Sequence, residues 1–285
     1  MSDLTYLSSV ILGVVEGLTE YLPVSSTGHL TIAEKLLGLR VSDPAVTAYT
    51  AIIQLGAIAA TILYFFKDIV RLLVAWFRGL TNAEARTDHD YSLAWAVIIG
   101  SIPVAIVGFL GKNLVSGALR SLWVVAVALI LWSAVMWVAE TRHTKLLATS
   151  GERGEATITV KDGLIIGLVQ CFSLVPGVSR SGATISAGLF RGLDRVTATR
   201  LSFFMAIPAL TAAGLYEAAT TPGLSSLGKG QMGVGIVVAF VVAYASIAWL
   251  LRFVATNSLR SFVYYRVALG VILLVALGTN ALSAT

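Results

Sequence analysis

The sequence predicts an all-α polytopic membrane protein built as an inverted-topology repeat, each repeat a re-entrant helical hairpin followed by three transmembrane helices. Three observations predict it. Hydrophobic residues fill 57% of the 285 positions and charged residues only 12%, where a soluble domain carries roughly 25% charge; mean hydropathy is +0.86. Six apolar stretches are long enough to cross ~30 Å of hydrocarbon, which takes about 20 residues. Two further apolar stretches are interrupted by Pro, Gly, Ser and ionisable residues, and they align with each other. The composition excludes an ordinary cytosolic enzyme, a disordered chain and a secreted disulfide scaffold, and Cys171 is the lone cysteine. The net charge of +5 comes from basic residues scattered between apolar runs, so no nucleic-acid partner is expected. Only Asp3 precedes the first apolar run, so a cleavable signal, which needs a basic leader, is not expected either.

In chain order, Leu4–Leu39 is the first broken stretch, interrupted by Glu16, Glu20, Pro23, the Ser25-Ser26-Thr27-Gly28 run and His29. Each half is too short to span, which predicts a re-entrant hairpin. Three spans follow, near Pro44–Phe66, Ser92–Gly111 and Leu122–Ala139, with charged connectors between them. The second broken stretch, Leu164–Leu193, is interrupted by Gln170, Pro176-Gly177, Ser179, Arg180, Ser181 and Gly182. Spans near Leu201–Ala219, Met232–Phe253 and Phe262–Leu282 complete the chain. An offset of 154 lays Gly13 on Gly167, Val24 on Val178, Ser25 on Ser179 and Gly28 on Gly182, with eight identities in the 27 positions from Gly13 to Leu39. A hairpin returns to its own side and three spans cross to the other, so the second copy starts from the opposite face. The whole chain, 1–285, is then a single membrane domain, with repeat 1 over about 1–140 and repeat 2 over about 160–285.

Lys and Arg set the orientation. The N-terminal side holds Lys35, Arg40, Lys112, Arg120 and Lys229, and the other side holds fourteen, among them Lys67, Arg71, Arg78 and, by this count, Arg266. The positive-inside rule makes the richer side cytoplasmic and puts both termini outside.

Ionisable groups inside membrane segments are expensive and mark function. Here they concentrate in the hairpins as Glu16, Glu20, His29 and Arg180. Glu16 and Glu20 are four apart and so share a helix face, where like charges repel. A metal ion or a shared proton would relieve that repulsion, as would pairing with Arg180. Ser25, Ser26 and Thr27 follow Pro23 at a half-helix start, and Ser179, Ser181 and Thr184 repeat the pattern beside Arg180. Helix N-termini, hydroxyls and a planar guanidinium together suit a diphosphate. The blander alternative for the serines is simple capping. Three nucleophiles stay open: His29, Ser26 activated by His29, and a metal-bound water, with a direct role for His29 preferred. His89 and His143 lie in charged connectors and are expected at the surface, and Cys171 as a small packing residue.

Glu16-Gly17-Leu18-Thr19-Glu20 with Pro23-Val24-Ser25-Ser26-Thr27-Gly28-His29 resembles the first signature of the undecaprenyl pyrophosphate phosphatase (bacitracin-resistance) family, and Pro176-Gly177-Val178-Ser179-Arg180-Ser181-Gly182-Ala183-Thr184 resembles the second. The likeness covers nearly the whole chain and includes Gln54. It implies hydrolysis of undecaprenyl diphosphate to undecaprenyl phosphate and inorganic phosphate, recycling a lipid carrier for the cell wall. It also implies a divalent cation (Mg2+ or Ca2+) at Glu16 and Glu20, a bacterial inner-membrane location and a site opening to the outer face. Catalysis would fall to Glu16, Glu20, Ser26, His29 and Arg180, and substrate binding to Ser25, Thr27, Gln54, Ser179, Arg180, Ser181 and Thr184. The expected partners are the polyprenyl diphosphate, membrane lipids and a second copy in a homodimer. A secondary transporter or lipid flippase with the same inverted repeat is the alternative, since broken helices in paired repeats mark that class too.

Overall fold

The computed structural model describes residues 4–41, 43–111, 119, 121–149, 151–220 and 228–283. Lys112 and Arg120, counted above for the N-terminal side, lie outside the described residues.

Two broken hairpins, six long apolar helices and one shorter helix make up the helical framework of the described residues. The first hairpin is α1 (Tyr6–Thr19) and α2 (Ser26–Leu36). Then come α3 (Pro44–Tyr64), α4 (Phe66–Thr81), α5 (His89–Leu110) and α6 (Leu122–Thr149). The second hairpin is α7 (Val160–Gln170), a short 3-10 turn at Cys171–Leu174, and α8 (Arg180–Phe190). The helices α9 (Arg195–Thr220), α10 (Lys229–Thr256) and α11 (Arg260–Gly278) close the chain. By length and composition α3, α5, α6, α9, α10 and α11 are the six able to cross a membrane.

Local chemistry sets the helix starts. Thr5 caps α1, its hydroxyl accepting the Ser8 amide at 3.1 Å. Asp43 caps α3, with Pro44 in the first turn, where no amide partner is needed. Thr159 and Asp162 form a reciprocal capping box at α7. The breaks are more unusual. Ser25 and Ser179 cap α2 and α8 from the left-handed region, at φ 79° and 77°. That conformation costs a non-glycine residue of order 1–3 kcal/mol and persists only where surroundings enforce it.

The hairpins are seated by small residues. α1 packs on α10, and α7 packs on α5. A Cβ added at Gly167 would lie 2.1 Å from the Gly100 carbonyl, and one at Gly13 would lie 2.8 Å from that of Gly235. Backbones approach this closely only where side chains are missing, the usual device for joining helices in lipid.

Four sequence expectations need correction. The region of Lys67, Arg71 and Arg78 is not a plain connector but the helix α4. Its exposed residues Phe66, Val70, Leu73, Val74, Phe77 and Leu80 form one apolar stripe. Sixteen residues at 1.5 Å each reach only about 24 Å, so a search for spans passes over it. α6 runs ten residues beyond the expected Ala139, because Glu140 pairs with Arg195 and Arg153 and Arg191 anchor the neighbouring connector on Asp162. In that extension His143 is buried, 3.1 Å from the Glu152 carboxylate, rather than at the surface; His89 is exposed as expected. Finally, Arg266 is not a cytoplasmic surface charge. It is fully buried in the second turn of α11.

Candidate active site

The two helix breaks meet. The Gly177 amide donates to Ser25 Oγ at 3.1 Å, and Ser181 Oγ donates to the Leu22 carbonyl at 3.0 Å. Each contact joins residues more than 150 apart in sequence, so neither hairpin tip is complete without the other.

Glu20 sits at the centre of the junction. It leaves α1 at the C-cap and is nearly buried. The Arg180 guanidinium donates to Glu20 Oε1 from Nη2 at 3.0 Å and to the Glu20 carbonyl at 3.3 Å. Ser26 Oγ donates to Glu20 Oε2 at 2.6 Å, and Gln54 Nε2 donates to the same oxygen at 3.1 Å. Arg180 Nη1 also donates to the Ser202 carbonyl at 2.9 Å, which holds the guanidinium plane. The carboxylate thus accepts from a cation, a hydroxyl and an amide; charge-assisted bonds of this kind are the strong ones.

A cavity of about 540 Å3 opens over this cluster. Glu16, Glu20, Ser25, Ser26, Thr27, Gln54, Ser179 and Arg180 line it. Its far wall is apolar, from Val104, Phe109, Leu174, Leu210 and Tyr216. Thr47 near the start of α3, Phe109 at the end of α5 and Tyr216 near the end of α9 extend the lining to those helix ends. One part can therefore hold a polyanion and the rest a hydrocarbon chain. Glu16 is fully buried, and among the described residues both its carboxylate oxygens are without a hydrogen-bond partner. Buried polar atoms are nearly always satisfied, which sets this cavity-lining carboxylate apart.

Other residues expected at the site lie behind it. Ser181 spans to the first hairpin, and Thr184 Oγ1 bonds the Ser202 hydroxyl at 2.7 Å. His29 does not reach Ser26. Its Nδ1 lies 2.7 Å from the Ser25 carbonyl and its Nε2 2.6 Å from the Tyr265 hydroxyl, and the imidazole is not part of the cavity lining. The structure adds Gln170, Ser173, Ser202 and Arg266 to the neighbourhood. Gln170 was within reach of sequence reasoning, because it is the repeat partner of Glu16; like Glu16 it is buried with no side-chain hydrogen bond among the described residues. Ser202 carries no such signal, as it is one hydroxyl in an apolar span.

The profile of the bacitracin resistance protein BacA family matches residues 9–272. The chain belongs to this family. It is 52% identical to an undecaprenyl-diphosphatase of Cutibacterium acnes, over 99% of this chain and all of that protein. It is 53% identical to undecaprenyl-diphosphatase 1 of Streptomyces avermitilis, over 99% of this chain and all of the relative. To undecaprenyl-diphosphatase 1 of Frankia alni it is also 53% identical, over the full length of both. In this BacA-family chain both serine-capped breaks, with Glu20 and Arg180, fall inside the matched residues.

Proposed function

We infer that the protein is an integral membrane phosphatase that hydrolyses undecaprenyl diphosphate to undecaprenyl phosphate and inorganic phosphate. The observation that carries this reading is the contact of Ser26 and Arg180 with one carboxylate, Glu20, at the floor of a cavity that is polar at one end and apolar at the other. The relatives named undecaprenyl-diphosphatase, at full-length identity above half, point the same way.

In this reading the prenyl chain lies along the Val104, Phe109, Leu210 and Tyr216 wall and the diphosphate faces the hairpin tips. Ser26 attacks the terminal phosphorus. Its proton passes to Glu20, the Oγ–P bond forms, the anhydride P–O bond breaks, and Glu20 hands the proton to the departing undecaprenyl phosphate. Water then attacks the phosphoserine phosphorus and gives a proton to Glu20, which returns it to Ser26 Oγ as the P–Oγ bond breaks and inorganic phosphate leaves. Arg180 and the amides at the starts of α2 and α8 stabilise charge on the transferring phosphoryl group. The unpartnered Glu16 carboxylate fits a divalent cation, Mg2+ or Ca2+, shared with Glu20, and such an ion would neutralise charge on the diphosphate. His29, bonded to Tyr265, serves to hold the start of α2.

The architecture of this reading is an inverted repeat. Its support is the exchange of packing partners between halves: α1 on α10 matches α7 on α5, and α3 on α10 matches α9 on α5. Both termini and the cavity mouth then face outward from a bacterial inner membrane.

The test is phosphate release by the purified protein from a long-chain polyprenyl diphosphate, with and without a divalent cation. Release that stops in excess chelator is expected. Undiminished release in chelator removes the metal role. Binding or translocation of the lipid without release replaces the enzyme by a transporter.

A further inference from the structure

Among the described residues Arg266 is one of the largest side chains that are completely buried. Burying a cation is costly unless it is paired and hydrogen-bonded. Among the described residues no carboxylate pairs with it; instead its guanidinium is spent on oxygens of three elements. Nη2 donates to the Gly177 carbonyl at 2.8 Å, and Nη1 donates to the Pro23 carbonyl at 3.2 Å. Nε donates to Ser133 Oγ at 3.2 Å, and Nη2 also reaches the Leu129 carbonyl at 3.4 Å, both on α6.

The first two partners are equivalent positions. Pro23 plus the repeat offset of 154 is Gly177. Each stands two residues before the left-handed serine that caps the second half-helix, Ser25 in one hairpin and Ser179 in the other. A single guanidinium therefore grips the same carbonyl of both turns from behind the cavity. Gly177 has φ +100°, and a Cβ there would lie 2.5 Å from the Val125 carbonyl, so this turn is pressed against α6. The planar fork explains why the residue is arginine: its nitrogens are set apart to take two carbonyls at once, which one ammonium does poorly.

We propose that Arg266 is a positioning residue for the hydrolytic site, which locks the two hairpin turns to each other so that Arg180 of the second meets Glu20 of the first. This rests on the phosphatase reading for its kinetic consequence, and on geometry alone for the lock itself. The Arg180–Glu20 contact spans 160 residues of sequence. The direct ties between the turns that support it are few, chiefly Gly177 to Ser25 and Ser181 to Leu22. Releasing the turns leaves both hairpins folded but lets their tips shift. A shift of about 1 Å at a reacting centre costs on the order of 100-fold in rate.

The experiment compares the full-length protein with Arg266→Lys and Arg266→Gln in lipid nanodiscs. Amide hydrogen exchange is followed in segments containing Val24–Ser26 and Gly177–Ser179, with α10 as internal reference, and phosphate release gives kcat and KM. Both turns should exchange faster in each variant while α10 keeps its protection. In Arg266→Lys kcat should fall by about 100-fold with KM little changed. Combined with Arg180→Lys, the Arg266→Lys loss should be mostly absorbed, because a lock that aligns Arg180 has little left to align. Unchanged exchange at the turns overturns the proposal, as does a normal kcat in Arg266→Lys or full multiplication of the two losses. Loss of protection throughout the molecule in both variants also overturns it, since Arg266 would then serve whole-fold stability. If the unaltered protein releases no phosphate, the phosphatase reading fails, and exchange at the two turns still decides the lock.

Discussion

Arg180, Glu20 and Ser26 are bound to one another closely enough that their substitutions should not behave as independent losses. Arg180 spans Glu20 and the Ser202 carbonyl at once, a reach that needs the guanidinium fork. Arg180→Lys keeps the charge and is expected to lose about 2–4 kcal/mol of transition-state stabilisation, the range for removing one preorganised donor; kcat/KM on a polyprenyl diphosphate measures it, and near-normal turnover would show that a point charge suffices. Glu20→Gln and Ser26→Ala should each abolish most turnover, and the double variant should be hardly worse than the worse single one. His29 offers a sharper comparison. Both its ring nitrogens are engaged away from the cavity, so His29→Ala should retain more kcat than Ser26→Ala. Equal or greater loss would bring the imidazole into the reaction.

Helix pairs joined through glycine set a second class of expectations. The α5–α7 contact leaves no room at Gly167, where an added Cβ meets backbone on the facing helix. Gly167→Ala should destabilise the protein by about 1–3 kcal/mol, the usual cost of overpacking, whereas Gly233→Ala, with nothing within 4 Å, should be near neutral. Thermal unfolding in detergent separates them. At the start of the same hairpin, Asp162 ties the connector to α7 and α8. It accepts from Arg153 and Arg191, each at 2.7 Å, and from Thr159. Burial would raise its carboxyl, but these bonds outweigh it and hold the group well below the usual carboxylate range. A folded-state pKa below the unfolded one means the stabilisation is complete above about pH 4 and fades as the pH falls through the depressed value. The stability gap between the protein and Asp162→Asn should therefore persist from pH 7 to pH 4 and narrow only below that. A gap that closes by pH 5 would show that the ion pairs contribute little.

For the molecule in its membrane, removing Arg266 from the surface charges lowers the count on the side expected to be cytoplasmic from fourteen to thirteen, against five on the other, and does not change the expected orientation. The ion-pair network of Asp68, Arg71, Asp90, Glu155 and Arg200 gathers at that same end. A single cysteine at Ala281, in a background lacking Cys171, should react from outside intact cells with a membrane-impermeant reagent. One at His89 should react only after permeabilisation. The reverse pattern would turn the site, and the substrate it meets, to the cytoplasm.

Composition and hydropathy alone determined the class of this protein, because six runs of some twenty apolar residues have no stable home but a bilayer. The two broken stretches and their offset determined which residues deserved attention, since ionisable groups at membrane depth are costly enough to be kept only for use. Glu16, Glu20, Ser26 and Arg180 were legible in this way, Gln54 only through the family resemblance, and the cavity gathers all five. Tertiary structure decided the rest. Local pattern cannot say that Ser26 bonds Glu20 while His29 turns to Tyr265, because a side chain's direction past a left-handed cap depends on what packs behind it. It cannot distinguish α4, whose apolar stripe is ordinary helical periodicity in a segment too short to span. Nor can it show that Arg266, one basic residue among twenty, has left the surface to bond two turns 154 positions apart. Sequence spacing carries the chemistry of each hairpin, but a contact between hairpins exists only once the folded helices have brought their tips together.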